Sequence, residues 1–152
     1  MLARGLIFWP LALIFLLLVF RWLNLSLHKN ISSFPKRLDV KFKEVVVKAQ
    51  VAQTPAEKER GLSGRDYLES NEGLLFIFNQ SGFYPFWMKD MKFPIDIVWI
   101  SEDKKVIDIS ENISPETYPQ TFTSKLPARY VLEVNAFWIR KSGIKLGDAV
   151  SF

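Results

Sequence analysis

Hydrophobic positions along the chain change pattern near residue 28, from one unbroken run to a series of short segments. Gly5 to Phe20 holds no charged or strongly polar side chain, and at about 1.5 Å per residue a helix there reaches about 24 Å. That is slightly short of a hydrocarbon core of about 30 Å. Arg21 can snorkel along its own stem while Trp22, Leu23 and Leu25 stay near the interface, which extends the span toward Leu27. Residues 1–27 are therefore expected to be one transmembrane anchor helix. A cleaved signal peptide is the competing reading, but it needs two small residues two positions apart close behind the run. Asn24 to His28 offers no such pair.

Residues 28–38 carry Asn30, Ser32, Ser33 and Pro35 without an apolar period and read as a linker. From position 39 to 152 the pattern becomes that of one globular domain of roughly 110 residues, enough for a single core. Val45, Val46, Val47 and Val51 mark a first strand. Thr54-Pro55-Ala56-Glu57 has the form of a capping box with proline at the first helical position, and Gly61 and Gly64 keep that helix short. Leu74 to Phe78 is apolar on both alternating faces, as in a strand covered on both sides. Strands are also expected over 86–91, 95–100 and 106–109, the last two joined as a hairpin by Ser101 to Lys104. Ser110 to Ala128 holds three prolines and no sustained period, so it reads as a long loop serving as a lid or rim. Arg129 to Val134 is another strand. Asn135 is placed to cap a short helix closed by Ser142-Gly143, and Gly147-Asp148 turns the chain into a last strand. The predicted fold is mainly β (α+β), an antiparallel sandwich or barrel with two short helices.

Charge alters this picture only in its location. The formal net charge is +4, but five of the 20 basic residues precede Leu38 and all 16 acidic ones follow it. The globular part is thus near neutral, and it lacks the basic footprint that drives binding to a phosphate backbone. No nucleic-acid partner is expected.

Candidate chemistry is sparse. The chain has no cysteine and a single histidine, His28, ahead of the domain. Thiolate catalysis, histidine-based triads and Cys- or His-ligated metals in the domain are excluded, and no metal or cofactor is expected. Gly61-Leu62-Ser63-Gly64-Arg65 superficially resembles a nucleophile elbow, but Arg65 stands where a glycine is needed and no histidine could activate Ser63. Between Phe76 and Trp99 lie eight aromatic residues, of which Phe83, Tyr84, Phe86 and Trp87 follow a turn-like Asn79 to Gly82 and are placed to stand near a loop. Asp96 shares an apolar strand face with Val98 and Ile100, and Glu133 shares one with Val131, so each carboxylate needs a partner. Lys89, Arg60, Arg65 and Arg129 are the available cations. The residues that emerge as a ligand-binding set are Trp87, Lys89, Asp96, Arg60, Arg65 and Glu133, beside a bland alternative of core packing and structural ion pairs.

Arg60-Gly61-Leu62 with Arg65, Gly73 to Phe78, Phe86-Trp87-Met88-Lys89, Pro94 to Ile97, Tyr130 to Glu133 and Gly147-Asp148 occur in the order seen in a bacterial and archaeal family, domain of unknown function 192, which the chain resembles from about residue 44 to its end. The resemblance implies a compact, mostly β domain often preceded by an export signal or anchor, and it supplies no established activity. Ser63, Leu74 and Asp90-Met91 depart from the residues common in the family.

Two indicators of orientation conflict. Arg21, Lys29, Lys36 and Arg37 outnumber Arg4 plus the amino terminus, which by the positive-inside rule puts the domain in the cytoplasm. The short charged start and Leu-rich core argue for export, and the resemblance tips the expectation toward an extracytoplasmic domain. The function expected from these features is a membrane-anchored, noncatalytic binding or assembly module at the cell envelope, with an envelope saccharide or protein as partner. The alternative is a carboxylate-dependent hydrolase or lyase acting on an envelope saccharide, with Asp96 and Glu133 as its pair.

Overall fold

Strand β1 (Arg37–Phe42) turns back through Lys43 and Glu44 into β2 (Val45–Ala52), and the two pair antiparallel from Arg37 opposite Gln50 to Phe42 opposite Val45. The structure, a computed structural model, describes residues 36–152. β1 takes in Arg37 and Leu38, two residues the linker was expected to include. The expected anchor, its signal-peptide alternative and the rest of the linker lie outside the described residues. Among the described residues no helix is long and apolar enough to cross a membrane.

After β2 the chain forms α1 (Pro55–Arg60), whose start is the capping box expected from sequence: Glu57 N donates to Thr54 Oγ1, and Glu57 Oε2 accepts from Thr54 N. The chain then crosses to β3 (Glu72–Gly82), which lies parallel to β2. This pair corrects the all-antiparallel expectation. A parallel neighbour requires a crossover rather than a tight turn, and the segment from Gln53 to Asn71 supplies one. β4 (Phe86–Trp87), β5 (Ile95–Ile100) and β6 (Val106–Ile113) follow, then a 3-10 turn at Pro115–Thr117, β7 (Thr121–Phe122), β8 (Ala128–Asn135), α2 (Trp138–Ser142) and β9 (Val150–Ser151).

Seven strands form one sheet in the order β6-β5-β8-β3-β2-β1-β9, and β4 pairs with β7 in a separate ribbon. A bridge between Lys105 and Ala149 brings the beginning of β6 back to the region of β9, so the sheet curls toward a barrel. Its inner face buries Val40, Phe42, Leu75, Val98, Leu132 and Val134, and α2 covers this core with Ile139. The outer face buries Leu74, Phe76, Ile97, Trp99 and Val131 beneath Leu62 and Leu68 of the crossover. Both faces of β3, β5 and β8 are thus covered, which is why Leu74 to Phe76 and Ile97 to Ile100 lack a polar alternate. Burial of side chains such as Trp99, Phe76 and Phe42 contributes about 1.5–3 kcal/mol each.

Three local expectations are corrected. The segment 86–91 is a strand only at Phe86–Trp87. Ser110 to Ala128 is not a bare loop, since β6 runs to Ile113 and β7 pairs Phe122 with Phe86 and Thr121 with Trp87. Asn135 does not cap α2, because its Nδ2 donates to Leu68 O and Glu69 O and so ties the crossover down. Asp96 serves α2 instead: Oδ2 accepts from Ile139 N at 3.0 Å and Oδ1 from Phe137 N at 3.2 Å and Asn112 N at 2.8 Å. A helix of five residues cannot satisfy its own first N–H groups, so a buried carboxylate from the sheet supplies the acceptors.

A candidate ligand cleft above Glu133

Where the crossover leaves α1, Gly61 adopts φ 53° and ψ −134°, and its N–H closes the helix on Glu57 O at 2.9 Å. A side chain is strained at that positive φ. Two bonds then moor the turn to the strand region opposite: Ser63 Oγ donates to Lys89 O at 2.8 Å, and Gly64 N to Asp90 O at 2.8 Å. Ser63 is therefore a structural tie and not a nucleophile held beside a base.

Between this turn and β4 lies an open cleft of about 240 Å³. Lys58, Arg60 and Leu62 line one side, Phe78, Tyr84 and Trp87 the other, with Phe76 and Glu133 among the remaining lining residues. The aromatic side is held firmly. Phe78 and Tyr84 stack with ring centroids 3.5 Å apart at 7°, Tyr84 Oη donates to Gln80 O at 2.7 Å, and Lys58 Nζ stands 4.7 Å from the Phe78 centroid. Partial burial lowers the Lys58 pKa. Phe86 packs edge-on against Phe76 and Trp99 and anchors the wall to the outer core.

Glu133 is the chemically distinctive member. It is 5% exposed, and its Oε2 is fully buried without a hydrogen-bond partner among the described residues. A Cβ at position 61 would come within 4.0 Å of that oxygen and 3.5 Å of Phe76 Cζ, so the bare Gly61 turn roofs the carboxyl. Burial pushes the Glu133 pKa up to about 8, against a smaller opposing pull from Arg65. At neutral pH Glu133 is chiefly a neutral acid, able to donate one hydrogen bond as well as accept. Arg65 Nη2 donates to the buried Gln50 Oε1 at 2.6 Å, and burial lowers its pKa in turn.

The structure sorts the residues expected to bind ligand. Arg60, Trp87 and Glu133 line the cleft together, and Arg65 lies close enough to Glu133 to act on it electrostatically. Lys89 is exposed at the rim, its Nζ 5.9 Å from the Trp87 ring centroid. Trp87 itself is 48% exposed and meets Tyr118 edge-on at 6.2 Å, which joins the Phe83 to Lys89 segment to the chain after β6. Asp96 is removed from the set. Glu133 stands opposite Ile97, while Asp96 stands opposite Val134, so the two carboxylates project from opposite faces of the sheet. They cannot flank one glycosidic bond, and the carboxylate-pair chemistry has no geometric basis. Lys58 and Gln50 are members of the cleft or its support that sequence reasoning missed, and no local signal marks them, whereas Tyr84 belongs to the aromatic group noted after the Asn79 to Gly82 turn.

Among the described residues no group of three or more His, Asp or Glu side chains is arranged to hold a metal ion. Solved structures share the fold, among them two that are similar in sequence as well. One is a protein of unknown function from Novosphingobium aromaticivorans, 30% identical with a TM-score of 0.73, the match covering 76% of this chain and 85% of that one. The other is a proposed transcription regulator from Sinorhizobium meliloti, 28% identical with a TM-score of 0.70, covering 76% and 91%. No curated protein matches the chain. The family model for domain of unknown function 192, described as uncharacterized ACR, matches residues 38–152.

Proposed function

We propose that this chain, which belongs to the domain of unknown function 192 family, is a membrane-anchored, noncatalytic binding module at the cell envelope whose cleft takes one ring of an envelope saccharide. The observation that carries the reading is Glu133: a buried carboxyl with an unpartnered oxygen, beside an aromatic-walled cleft open to solvent. Glu133 is a lining residue of that cleft, and an apolar, aromatic-walled cleft with few polar groups has the character of a small-ligand site. The cleft volume of about 240 Å³ lies below the roughly 300–1,000 Å³ of sites for drug-sized ligands, which suits a single ring rather than a chain. Half-exposed Trp87 offers an aromatic face for the C–H face of a sugar.

Several features favour binding over catalysis. Ser63 is tied to Lys89 O, Asp96 is consumed by three backbone donors, and neither a histidine nor a thiol exists in the domain. The carboxyl of Glu133 is buried and protonated at neutral pH, which removes it as a base for activating a nucleophile. The regulator description of the Sinorhizobium relative gives no reason to add a nucleic-acid partner, because the residues from Leu38 onward are near neutral. Anchoring rests on the apolar run from Gly5 to Phe20.

A glycan array probed with detergent-solubilised full chain tests the reading, followed by titration of Trp fluorescence with the best glycan. Saturable binding that Trp87→Ala weakens at least tenfold, with little change in melting temperature, is the expected result. Absence of any glycan hit, or loss of binding only in step with unfolding, counts against it.

A further inference from the structure

We infer that the domain rests against its own bilayer through the end of the sheet where β3 gives way to the turn at Phe83, with Phe83 and Leu126 entering the headgroup layer; this rests on the anchored reading above and adds how the domain meets the membrane. Gly82, the last residue of β3, stands opposite Ala128, the first of β8. Phe83 follows Gly82 directly and Leu126 precedes Ala128 by two residues, so one end of the sheet carries both. They are 60% and 53% exposed. Large apolar side chains left in water on adjoining loops suit an apolar partner, and a headgroup layer takes them up to the acyl boundary.

Strand direction and chain length select the bilayer as that partner. β1 runs antiparallel to β2, and β2 runs parallel to β3, so β1 begins on the side toward which β3 runs. Lys36 O accepts from Val51 N at 2.9 Å, and Val51 stands opposite Leu75. From the level of Leu75, β3 continues to Gly82, a rise of about 23 Å. Residues 28–35 separate the expected anchor from Lys36, and even fully extended they reach at most about 28 Å. A bilayer level with Phe83 lies within that reach and in the direction from which β1 starts. Contact at the other end of β3 requires the chain to turn back at Lys36 and run beside β1. Charge at the Phe83 end is of both signs, with exposed Lys125 beside Leu126 and Glu102 accepting from Ser81 Oγ, so the contact itself is apolar. The basic excess lies in the chain leading to it: Arg21, Lys29 and Lys36 precede the first acidic residue, Asp39, and draw that chain toward anionic headgroups.

The chain has no cysteine, so one introduced thiol carries one label. The test labels full-length Lys125→Cys, Ser70→Cys and Lys141→Cys with a fluorophore, reconstitutes each into vesicles of phosphatidylcholine with phosphatidylglycerol, and adds a headgroup-level doxyl-lipid quencher. Position 125 adjoins Leu126 and leaves both apolar side chains in place, whereas Ser70 and Lys141 line one hollow at the other end of the domain. Quenching at 125 is expected to exceed that at 70 and 141 by about threefold. Phe83→Asp together with Leu126→Asp is expected to bring it down to their level with the melting temperature unchanged, since both positions are exposed. In vesicles with which the chain co-floats, equal quenching at the three positions, or stronger quenching at 70 or 141, overturns the inference and leaves the anchor standing. Quenching at 125 that survives both aspartates overturns the part assigned to Phe83 and Leu126. A full chain that does not float with the vesicles removes the anchored reading, and this inference with it.

Discussion

Replacing Glu133 by Gln should alter how folding stability depends on pH, because burial separates the titration of this carboxyl in the folded and unfolded chain. In the unfolded chain it titrates near its ordinary value of 4.5, and in the folded domain near 8. Between those values the folded state holds a proton that the unfolded state has lost. Stability therefore falls as pH rises across that window and is flat in this respect on either side. At about 1.4 kcal/mol per unit, the full separation corresponds to about 5 kcal/mol, an upper bound because water penetration and relaxation reduce the cost of a buried charge. Even half of it is a large part of the roughly 5–15 kcal/mol that holds a domain folded. For a domain of this size it equals a drop on the order of 10 °C in melting temperature. The assay is a series of thermal melts at pH 5, 6, 7, 8 and 9 on full-length wild type and Glu133→Gln. Near pH 5 the two should melt within a few degrees of each other, and by pH 9 the variant should melt higher by on the order of 10 °C. Other groups titrate equally in both proteins, so the difference curve isolates Glu133. Parallel curves across the series would refute the argument, since they would mean that the buried carboxyl is ionised and stabilised by a partner throughout.

Asp96→Ala should cost about 3 kcal/mol or more in urea denaturation, because three backbone donors at Asn112, Phe137 and Ile139 lose their acceptor inside the barrel; a loss under about 1 kcal/mol would show that α2 is held by packing alone. Gly73→Ala should destabilise by about 1–3 kcal/mol, since its Cβ would meet Glu133 O and Val47 Cγ1 at 2.9 Å, and a neutral effect in thermal melts would mean that β3 shifts freely. Trp87→Ala and Lys89→Ala, both at exposed positions, should each change stability by less than about 1 kcal/mol while weakening glycan binding. Equal proportional losses of melting temperature and binding would assign both side chains to packing. Carbonate extraction together with external protease treatment of intact cells should leave the chain in the membrane and its domain digested; a carbonate-soluble product or a protected domain contradicts the anchored, extracytoplasmic placement.

Much of the fold was legible because the relevant signals are local. The capping box at Thr54 to Glu57 needs only residues within one turn of helix, and it forms as read. Strands β2, β5 and β8 announce themselves as β-branched or doubly apolar runs, and the glycines at 61, 143 and 147 take the positive φ that ends a helix or turns the chain. Of the family pieces, Arg60 to Leu62, Gly73 to Phe78, Phe86 to Lys89 and Tyr130 to Glu133 contribute lining residues to the cleft. Glu133 was singled out as a charged residue in apolar company, and that reasoning does find a group whose burial is costly.

What the sequence determined by itself is therefore the domain's class, its main strands, its near-neutral charge and the absence of thiol or imidazole chemistry from the globular part. Only the tertiary structure decided which residues meet. The parallel placement of β3 beside β2 depends on where the crossover packs, and the same crossover lays Lys58 and Gly61 over Glu133, residues far apart in the chain. The fates of Asp96 and Glu133 show the physical reason most clearly. Both are carboxylates on apolar strands, alike in sequence, yet the register of β5 against β8 sends one inward to the N–H groups of α2 and the other outward beneath the Gly61 turn. A one-residue slip in that pairing would exchange the faces. Strand register is a property of the assembled sheet, set by the summed packing of both cores, so no local pattern could have told the satisfied carboxylate from the one that still lacks a partner.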